Sequence, residues 1–124
     1  MTNEETFKLL DEIGAAFARH DIDAMVGYFA TDGEFVNAVG PDPHGTCYKG
    51  HGEIRGYFEG LFDRVEDVQW EKTDIRVINE KAYAEWHRRA TLKNGETQDW
   101  LGVDIYTFAH GKIAKKDTYI KVVG

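Results

Sequence analysis

The sequence has one cysteine and two prolines among its 124 residues. No apolar run approaches the roughly 20 residues that a membrane-spanning helix needs. The lone cysteine, Cys47, cannot form a disulfide within the chain and leaves too few thiols for a cysteine-based zinc site. Positive charge is also scarce, because 15 Lys and Arg stand against 22 Asp and Glu, a formal net charge of −7. We therefore expect no nucleic-acid partner and no membrane attachment, since both surfaces are negatively charged.

Hydrophobic residues are abundant in comparison. They make up 42% of the chain, and aromatic residues make up 13%. This is enough apolar surface to form the core of one domain over residues 1–124. The segment Met1–Glu5 is acidic where a secretory signal would be basic and then apolar. The sequence therefore predicts a single-domain cytoplasmic protein.

The first part of the chain has helical periodicity. Thr2 and Glu5 form a capping-box pattern, and apolar residues then recur at helical spacing as far as Phe17. A second, shorter helix is expected to begin after Asp21 and to carry Phe29 on its apolar side.

Turn-forming residues separate this second helix from the next elements. Residues 31–33 have the composition of a turn, and residues 34–39 favour a short strand. The loop 40–45 contains both prolines. Residues 54–65 then have the most regular amphipathic stripe in the chain, which predicts a third helix.

From residue 68 onward the apolar period changes to two. The phase of this alternation switches between Trp70 and Ile75, which predicts a β-bulge. Asn94-Gly95 and His110-Gly111 are turn sequences. We therefore expect an α+β fold in which N-terminal helices pack on a strongly curved antiparallel sheet. The expected strands span 68–77, 82–92, 98–108 and 113–123.

The strand expected at 98–108 is apolar on both faces. Leu101, Val103 and Ile105 form one row, whereas Trp100 and Tyr106 belong to the other. One row can pack against the helices, so the second needs a different cover. We therefore expect a homodimer that forms through the outer face of the sheet.

Three stretches of the chain carry a family pattern: FARHDIDAMVGYFATDG at 17–33, GHGEIRGYF at 50–58 and DIYTFAHGKI at 104–113. Together with the order of helices and strands, they resemble the SnoaL-like and ketosteroid-isomerase-like branch of the nuclear transport factor 2-like superfamily. The resemblance implies a cone-shaped fold with a deep pocket between the helices and the concave face of the sheet. It does not specify an activity, because this superfamily hosts many functions.

The catalytic residues of ketosteroid isomerases transfer to this chain only in part. The resemblance places their general base at Asn37, and an amide cannot accept a proton at neutral pH. Their oxyanion-binding tyrosine falls at Ile13, which has no donor. Their second oxyanion group, a protonated aspartic acid, matches Asp104. We therefore do not expect a standard ketosteroid isomerase.

The water-activating residues of limonene-epoxide-hydrolase-like proteins are also incomplete. The resemblance matches their asparagine with Asn37 but places their tyrosine at Phe35. Their strand arginine and aspartate fall on Trp86 and Arg88, and their last-strand aspartate falls on Thr118. This second catalytic set is therefore broken as well.

Strand parity and the resemblance together predict the wall of the pocket. Asp104, Asn37, Arg88 and Tyr57 are the catalytic candidates in a largely aromatic lining, which is usual for small-molecule sites. In the alternative interpretation the same rings fill the interior and leave no cavity. The other residues expected at the site are Phe17, Met25, Phe29, Phe35, Phe58, Trp86, Trp100, Tyr106 and Thr118.

Asp104 is the candidate acid/base. Burial among aromatic residues would favour its neutral form, and such a carboxyl can exchange protons near neutral pH. Arg88 lies on the neighbouring strand with the parity to reach it, and an ion pair would instead keep Asp104 ionised in a structural role. The residue pattern leaves both interpretations open.

Two further groups of residues have plain interpretations. His44, Cys47 and His51 can ligate metals, but their spacing matches no common metal site, so we expect neither a metal nor another cofactor. Lysines recur in the last strand, which predicts a solvated edge strand that resists aggregation. These lysines are Lys112, Lys115, Lys116 and Lys121.

These patterns favour a cofactor-free enzyme that performs acid/base chemistry on a small hydrophobic molecule. The reaction would be an isomerisation, dehydration, cyclisation or hydrolysis. The alternatives are a non-catalytic ligand-binding module and a dimerisation module. Converging polar groups beside a cavity would favour the enzyme, because a reaction needs them in contact with the reacting atoms.

Overall fold

Three helices pack against one six-stranded sheet in the computed structural model, which describes residues 1–122. This arrangement confirms the predicted α+β fold. The helices are α1 (Asn3–Ala18), α2 (Ile22–Gly27) and α3 (Gly50–Arg64). The strands are β1 (Phe29–Asn37), β2 (Thr46–Lys49), β3 (Val65–Ile78), β4 (Lys81–Leu92), β5 (Thr97–Ala109) and β6 (Lys112–Ile120).

The first two helices begin where the sequence predicts. The Glu5 N–H donates to Thr2 Oγ1 at 3.1 Å, and the Thr2 N–H donates to Glu5 Oε1 at 2.9 Å, which completes the capping box. At α2 the Asp21 carboxylate accepts a hydrogen bond from the Ala24 N–H at 3.1 Å. Both caps satisfy N–H groups that have no partner within their helix.

The second helix is shorter than expected and the first strand is longer. Helix α2 ends at Gly27, and β1 already begins at Phe29. The predicted turn at 31–33 therefore lies inside a strand, where the pairing of β1 with β6 shifts register between Phe29 and Glu34. The turn-forming residues mark this irregularity in the strand rather than a loop.

The strand order is β2-β1-β6-β5-β4-β3, and β3 to β6 form the predicted antiparallel meander. The short strand β2 was not predicted. Strand β6 pairs in parallel with β1 and antiparallel with β5, so the prediction of an edge strand is wrong. The strand ends at Ile120, and the expected end at residue 123 lies outside the described residues.

The bulge and the turns of the meander are confirmed. The register of β3 on β4 shifts between Lys72 and Asp74, where the sequence changes phase. The turn residues Gly95, His110 and Gly111 have φ angles of 92°, 52° and 75°. These left-handed conformations suit the tight reversals between neighbouring strands.

The helices and the sheet enclose one hydrophobic core. Leu10 and Ile13 contribute from α1, and Ile54 and Phe58 contribute from α3. None of the helices described over residues 1–122 has the length and apolar character required to cross a membrane. Above this core, the helices and the sheet leave the space that contains the candidate site.

Gly102 on β5 lies where its neighbours leave no room for a side chain. A Cβ atom there would lie 2.5 Å from the Trp86 ring and 2.5 Å from the Tyr119 carbonyl oxygen. We expect Gly102→Ala to lower the free energy of unfolding by about 1–3 kcal/mol, because overpacking forces side chains or backbone to shift. Urea denaturation measures the change.

Gly52→Ala is the matched control, since a Cβ atom at this exposed position of α3 would contact nothing within 4 Å. We expect this variant to be neutral or up to about 1 kcal/mol more stable, because alanine is the better helix former. Equal effects of the two substitutions would contradict this account.

Candidate functional site

A cavity of about 1000 Å³ lies between α1, α3 and the concave face of the sheet. Its wall is rich in aromatic rings, contributed by both helices and by β1 to β5. Most of the predicted site residues line it: Asp104, Asn37, Arg88, Tyr57, Phe17, Phe35, Phe58, Trp86, Trp100 and Thr118. The fold therefore brings residues from distant parts of the sequence around one space.

Three residues predicted at the site do not line this cavity. Met25 is fully buried in the core, and Phe29 is only 1% exposed, at the start of β1 beside Ile113. Tyr106 stacks on Phe108 with ring centres 5.7 Å apart, and burial raises its pKa well above the ordinary value. These side chains face inward as predicted, but neighbouring elements pack directly on them.

Asp104 lies at the centre of a polar cluster on the cavity wall. The Thr118 hydroxyl donates to Asp104 Oδ1 at 2.7 Å, and Lys116 Nζ lies 3.9 Å from Asp104 Oδ2. Asp104 and Thr118 are register partners on β5 and β6, so the pairing of these strands brings the two side chains together. The side chains of Lys116 and Asp104 are only 8% and 12% exposed. A carboxyl, a hydroxyl and an amine therefore meet in a space with little water.

Lys116 corrects the prediction that the lysines of the last strand are solvated. Its Nζ lies 4.2 Å from the centre of the Phe17 ring and 5.3 Å from that of Phe35. Burial lowers the pKa of the Lys116 ammonium, although the nearby Asp104 carboxylate acts in the opposite direction. Strand parity could have predicted that Lys116 faces inward, because it precedes the inward-facing Thr118 by two residues.

Arg88 does not pair with Asp104, in contrast to one of the two predicted arrangements. On the β4–β5 ladder Arg88 lies opposite Trp100, whereas Asp104 lies opposite Ala84. This separates the two positions by four residues, or about 13 Å along a strand. Parity placed Arg88 and Asp104 correctly on one face, but the register of the strands keeps them apart.

The guanidinium of Arg88 has neutral and aromatic neighbours instead. It donates to Gln98 Oε1 at 2.7 Å. Its central carbon lies 4.9 Å from the centre of the Trp100 ring and 5.9 Å from that of Trp70. Burial lowers the pKa of Arg88, but an arginine so placed still carries its charge at neutral pH.

Tyr57 and Asn37 provide two further polar groups. Burial raises the pKa of Tyr57, so its hydroxyl is protonated at neutral pH and can donate a hydrogen bond. Its ring lies 5.1 Å from that of Phe35. The Asn37 side-chain oxygen accepts from the Ala38 N–H at 2.9 Å, which leaves its amide N–H groups as donors. Both residues suit the orientation of a ligand rather than removal of a proton.

The metal-ligating residue types His44, Cys47 and His51 lie on three different elements: the loop before β2, β2 itself and α3. The Cys47 thiol donates to Glu34 at 3.2 Å, and burial raises its pKa. His51 Nε2 lies 2.9 Å from the Phe29 carbonyl oxygen, and His44 is exposed. Within residues 1–122 no three His, Cys, Asp or Glu side chains are grouped so that they could hold a metal ion.

The titration of Lys116 should affect the stability of the protein. Because burial lowers its pKa below the ordinary 10.5, the unfolded chain binds more protons than the folded one between these two values. The stability of the natural protein relative to Lys116→Met should therefore rise as the pH approaches 10.5 from below. Urea denaturation over a pH series measures this difference.

Lys115→Met is the control, because Lys115 is the exposed neighbour on the same strand. Its stability difference from the natural protein should stay constant over the same pH range. A flat difference for Lys116→Met as well would contradict the buried state of this amine.

Comparisons with known proteins agree with the fold. The family model of the SnoaL-like domain matches residues 11–116, and no curated protein matches the chain in sequence. An NTF2-like protein of unknown function from Burkholderia pseudomallei superposes with a TM-score of 0.85 at 18% identity, over 98% of this chain and 92% of that one.

Two other solved structures are similar. TerC, co-crystallised with polyporic acid, has a TM-score of 0.82 and 17% identity, over 94% of this chain and 92% of its own. A Catenulispora acidiphila protein with a ketosteroid isomerase-like fold, in complex with trimethylamine, has a TM-score of 0.79 and 18% identity, over 90% and 83% of the two chains. Since the family model spans most of the sequence, this chain belongs to the SnoaL-like domain family, and its fold is NTF2-like.

Proposed function

We propose that this protein is a cofactor-free cytoplasmic enzyme that performs acid/base chemistry on a small hydrophobic molecule. The observation that carries the proposal is the hydrogen bond from Thr118 to Asp104, beside the buried Lys116, on the wall of an aromatic cavity. A carboxyl group transfers protons efficiently when its orientation is fixed and the access of water is restricted. The cluster meets both requirements.

Asp104 has the geometry of the proton-transferring group. Thr118 holds its Oδ1, and Oδ2 is the oxygen closer to Lys116. In the proposed reaction the carboxylate accepts a proton from the substrate and returns it at a second position. The amine of Lys116 lies close enough to stabilise negative charge that develops on the substrate. Isomerisation, dehydration and cyclisation include such a transfer, and in hydrolysis the carboxylate would take the proton from the attacking water and pass it to the leaving group.

Other side chains of the cavity support a small ligand. The protonated hydroxyl of Tyr57 and the amide of Asn37 can orient a polar group, and the rings of Phe17 and Phe35 can cover an apolar body. TerC was crystallised with polyporic acid, and the Catenulispora acidiphila protein with trimethylamine. Both are small organic molecules, which supports the same class of ligand here.

A non-catalytic binding module is the second candidate. Asn37 stands where the resemblance places a catalytic base, and Lys116 and Asp104 form a buried ion pair that can be structural. In that case the cavity holds a ligand without changing it. In that case the protein has no turnover that a substitution of Asp104 could lower.

Asp104→Asn separates the two candidates. The substitution keeps the size of the side chain but removes the carboxylate, so we expect turnover to fall by about 10²- to 10⁴-fold. The assay incubates the protein in D₂O with a panel of small hydrophobic ketones, epoxides and esters. NMR then reports isotope exchange, dehydration or hydrolysis.

Asp117→Asn is the matched control, because Asp117 is the neighbour of Thr118 on β6 and accepts a hydrogen bond from Tyr119 at 3.3 Å. We expect this variant to retain the activity. Turnover that does not depend on Asp104 would contradict its role as the proton-transferring group, and ligand binding without any turnover across the panel would favour the binding module.

We also propose a homodimer through the outer face of the sheet. Leu101 is 49% exposed and Tyr119 is 54% exposed, on the neighbouring strands β5 and β6. Val103 on β5 is the register partner of Tyr119 on β6. These side chains form an apolar surface on the face opposite to the cavity, and a second copy would cover it.

Leu101→Glu tests this interface. The natural protein should sediment at twice its mass of 14.1 kDa, whereas the buried charge of the variant should yield monomers. Val39→Glu is the control, since Val39 is 66% exposed in the loop after β1. This variant should remain dimeric. A natural protein that sediments only as the monomer at micromolar concentration would contradict the proposal.

A further inference from the structure

Arg88 is a buried cation on the cavity wall without an acidic partner. The residue is only 6% exposed, and its one hydrogen bond to a side chain goes to the neutral Gln98. No carboxylate of residues 1–122 forms an ion pair with it. Buried charges in folded proteins are normally paired, because loss of hydration is costly.

The carboxylates of the cavity wall interact with partners other than Arg88. Asp104 accepts from Thr118 and lies beside Lys116, four residues along the strand ladder from the level of Arg88. Glu53 is exposed on α3 and accepts a hydrogen bond from the Lys49 N–H at 3.1 Å. These two are the acidic residues among those that line the cavity. Arg88 therefore has no counter-ion in the wall itself.

The surroundings of Arg88 favour an anion with an apolar body. Trp70 and Trp100 lie beside its guanidinium, and both rings line the cavity. Arg64, also in the lining, adds a second positive charge to this wall. The buried indole N–H of Trp86, two residues along the same strand face, has no acceptor in the described part of the chain. This wall has donors and positive charge but few acceptors.

We propose that Arg88 binds the carboxylate of a small aromatic or alicyclic organic acid. The planar guanidinium matches the two oxygens of a carboxylate, and hydrogen bonds between charged groups are about twice as strong as neutral ones. The apolar body of the acid would pack on Trp100, with its far end directed toward Asp104. The inference rests on the proposed ligand cavity, but it does not depend on any reaction at Asp104.

A pair of probes with one shape and different charge tests this inference. 2-Naphthoate carries a carboxylate at neutral pH, and 2-naphthamide replaces it with a neutral amide. We expect the protein to bind 2-naphthoate about 10- to 100-fold more tightly than 2-naphthamide, as the difference between charged and neutral hydrogen bonds implies. Isothermal titration calorimetry at neutral pH measures both affinities.

Arg88→Met should remove this preference, so that both probes bind with similar affinity. Binding of 2-naphthamide then reports that the variant is folded, and Arg88→Lys, which keeps the charge, should retain part of the preference. Arg89→Met is the matched control, because Arg89 is the exposed neighbour on the opposite face of β4. It should bind like the natural protein.

The outcomes separate this inference from the proposed function. Equal affinity for the two probes in the natural protein, or a preference that survives in Arg88→Met, overturns the inference alone. Failure of 2-naphthoate to bind while 2-naphthamide binds also overturns it. Failure of both probes overturns the inference and counts against the cavity as a ligand site, whereas dependence of turnover on Asp104 is measured separately.

Discussion

The parallel pairing of β1 with β6 is the constraint on which the site depends. It inserts the last strand between β1 and β5, in the interior of the sheet. Lys116 and Thr118 then face the helices rather than solvent, and the pairing with β5 places Thr118 directly opposite Asp104. Without this pairing β6 would be a solvated edge, and Lys116 would lose the cover of the Phe35 ring on β1.

Strand register divides the polar groups of the cavity into two sets. Asp104 meets Thr118 and Lys116, whereas Arg88 lies opposite Trp100 and donates to Gln98. The first set combines a carboxyl, a hydroxyl and an amine, and the second presents a positive charge beside two indole rings. A ligand that spans both sets would meet the charge of Arg88 at one end and the Asp104 cluster at the other. Fixed backbone ladders hold this separation, because a shift by one residue would turn each side chain to the opposite face.

Local patterns predicted the elements of this fold where the signal lies within a few residues. The capping box at Thr2, the phase switch in β3 and the turn at His110 all appear as expected. Two local predictions failed, since α2 ends before Phe29 and residues 31–33 belong to β1. There the pairing with a distant strand outweighs turn propensity, which is a weak preference in a sheet. The short strand β2 has no periodic signal of its own and is defined by its pairing with β1.

The sequence by itself determined the α+β class and the antiparallel meander, because these follow from periodicity within single segments. Strand parity together with the family resemblance predicted that Asp104, Asn37 and Arg88 face inward, and the resemblance alone pointed to Thr118. Only the tertiary structure decided which of these side chains meet. It separated Arg88 from Asp104, buried Lys116 beside Asp104, and packed Met25 and Phe29 into the core. The physical reason is that contact depends on strand order and register, and these are set by pairing between segments far apart in the chain.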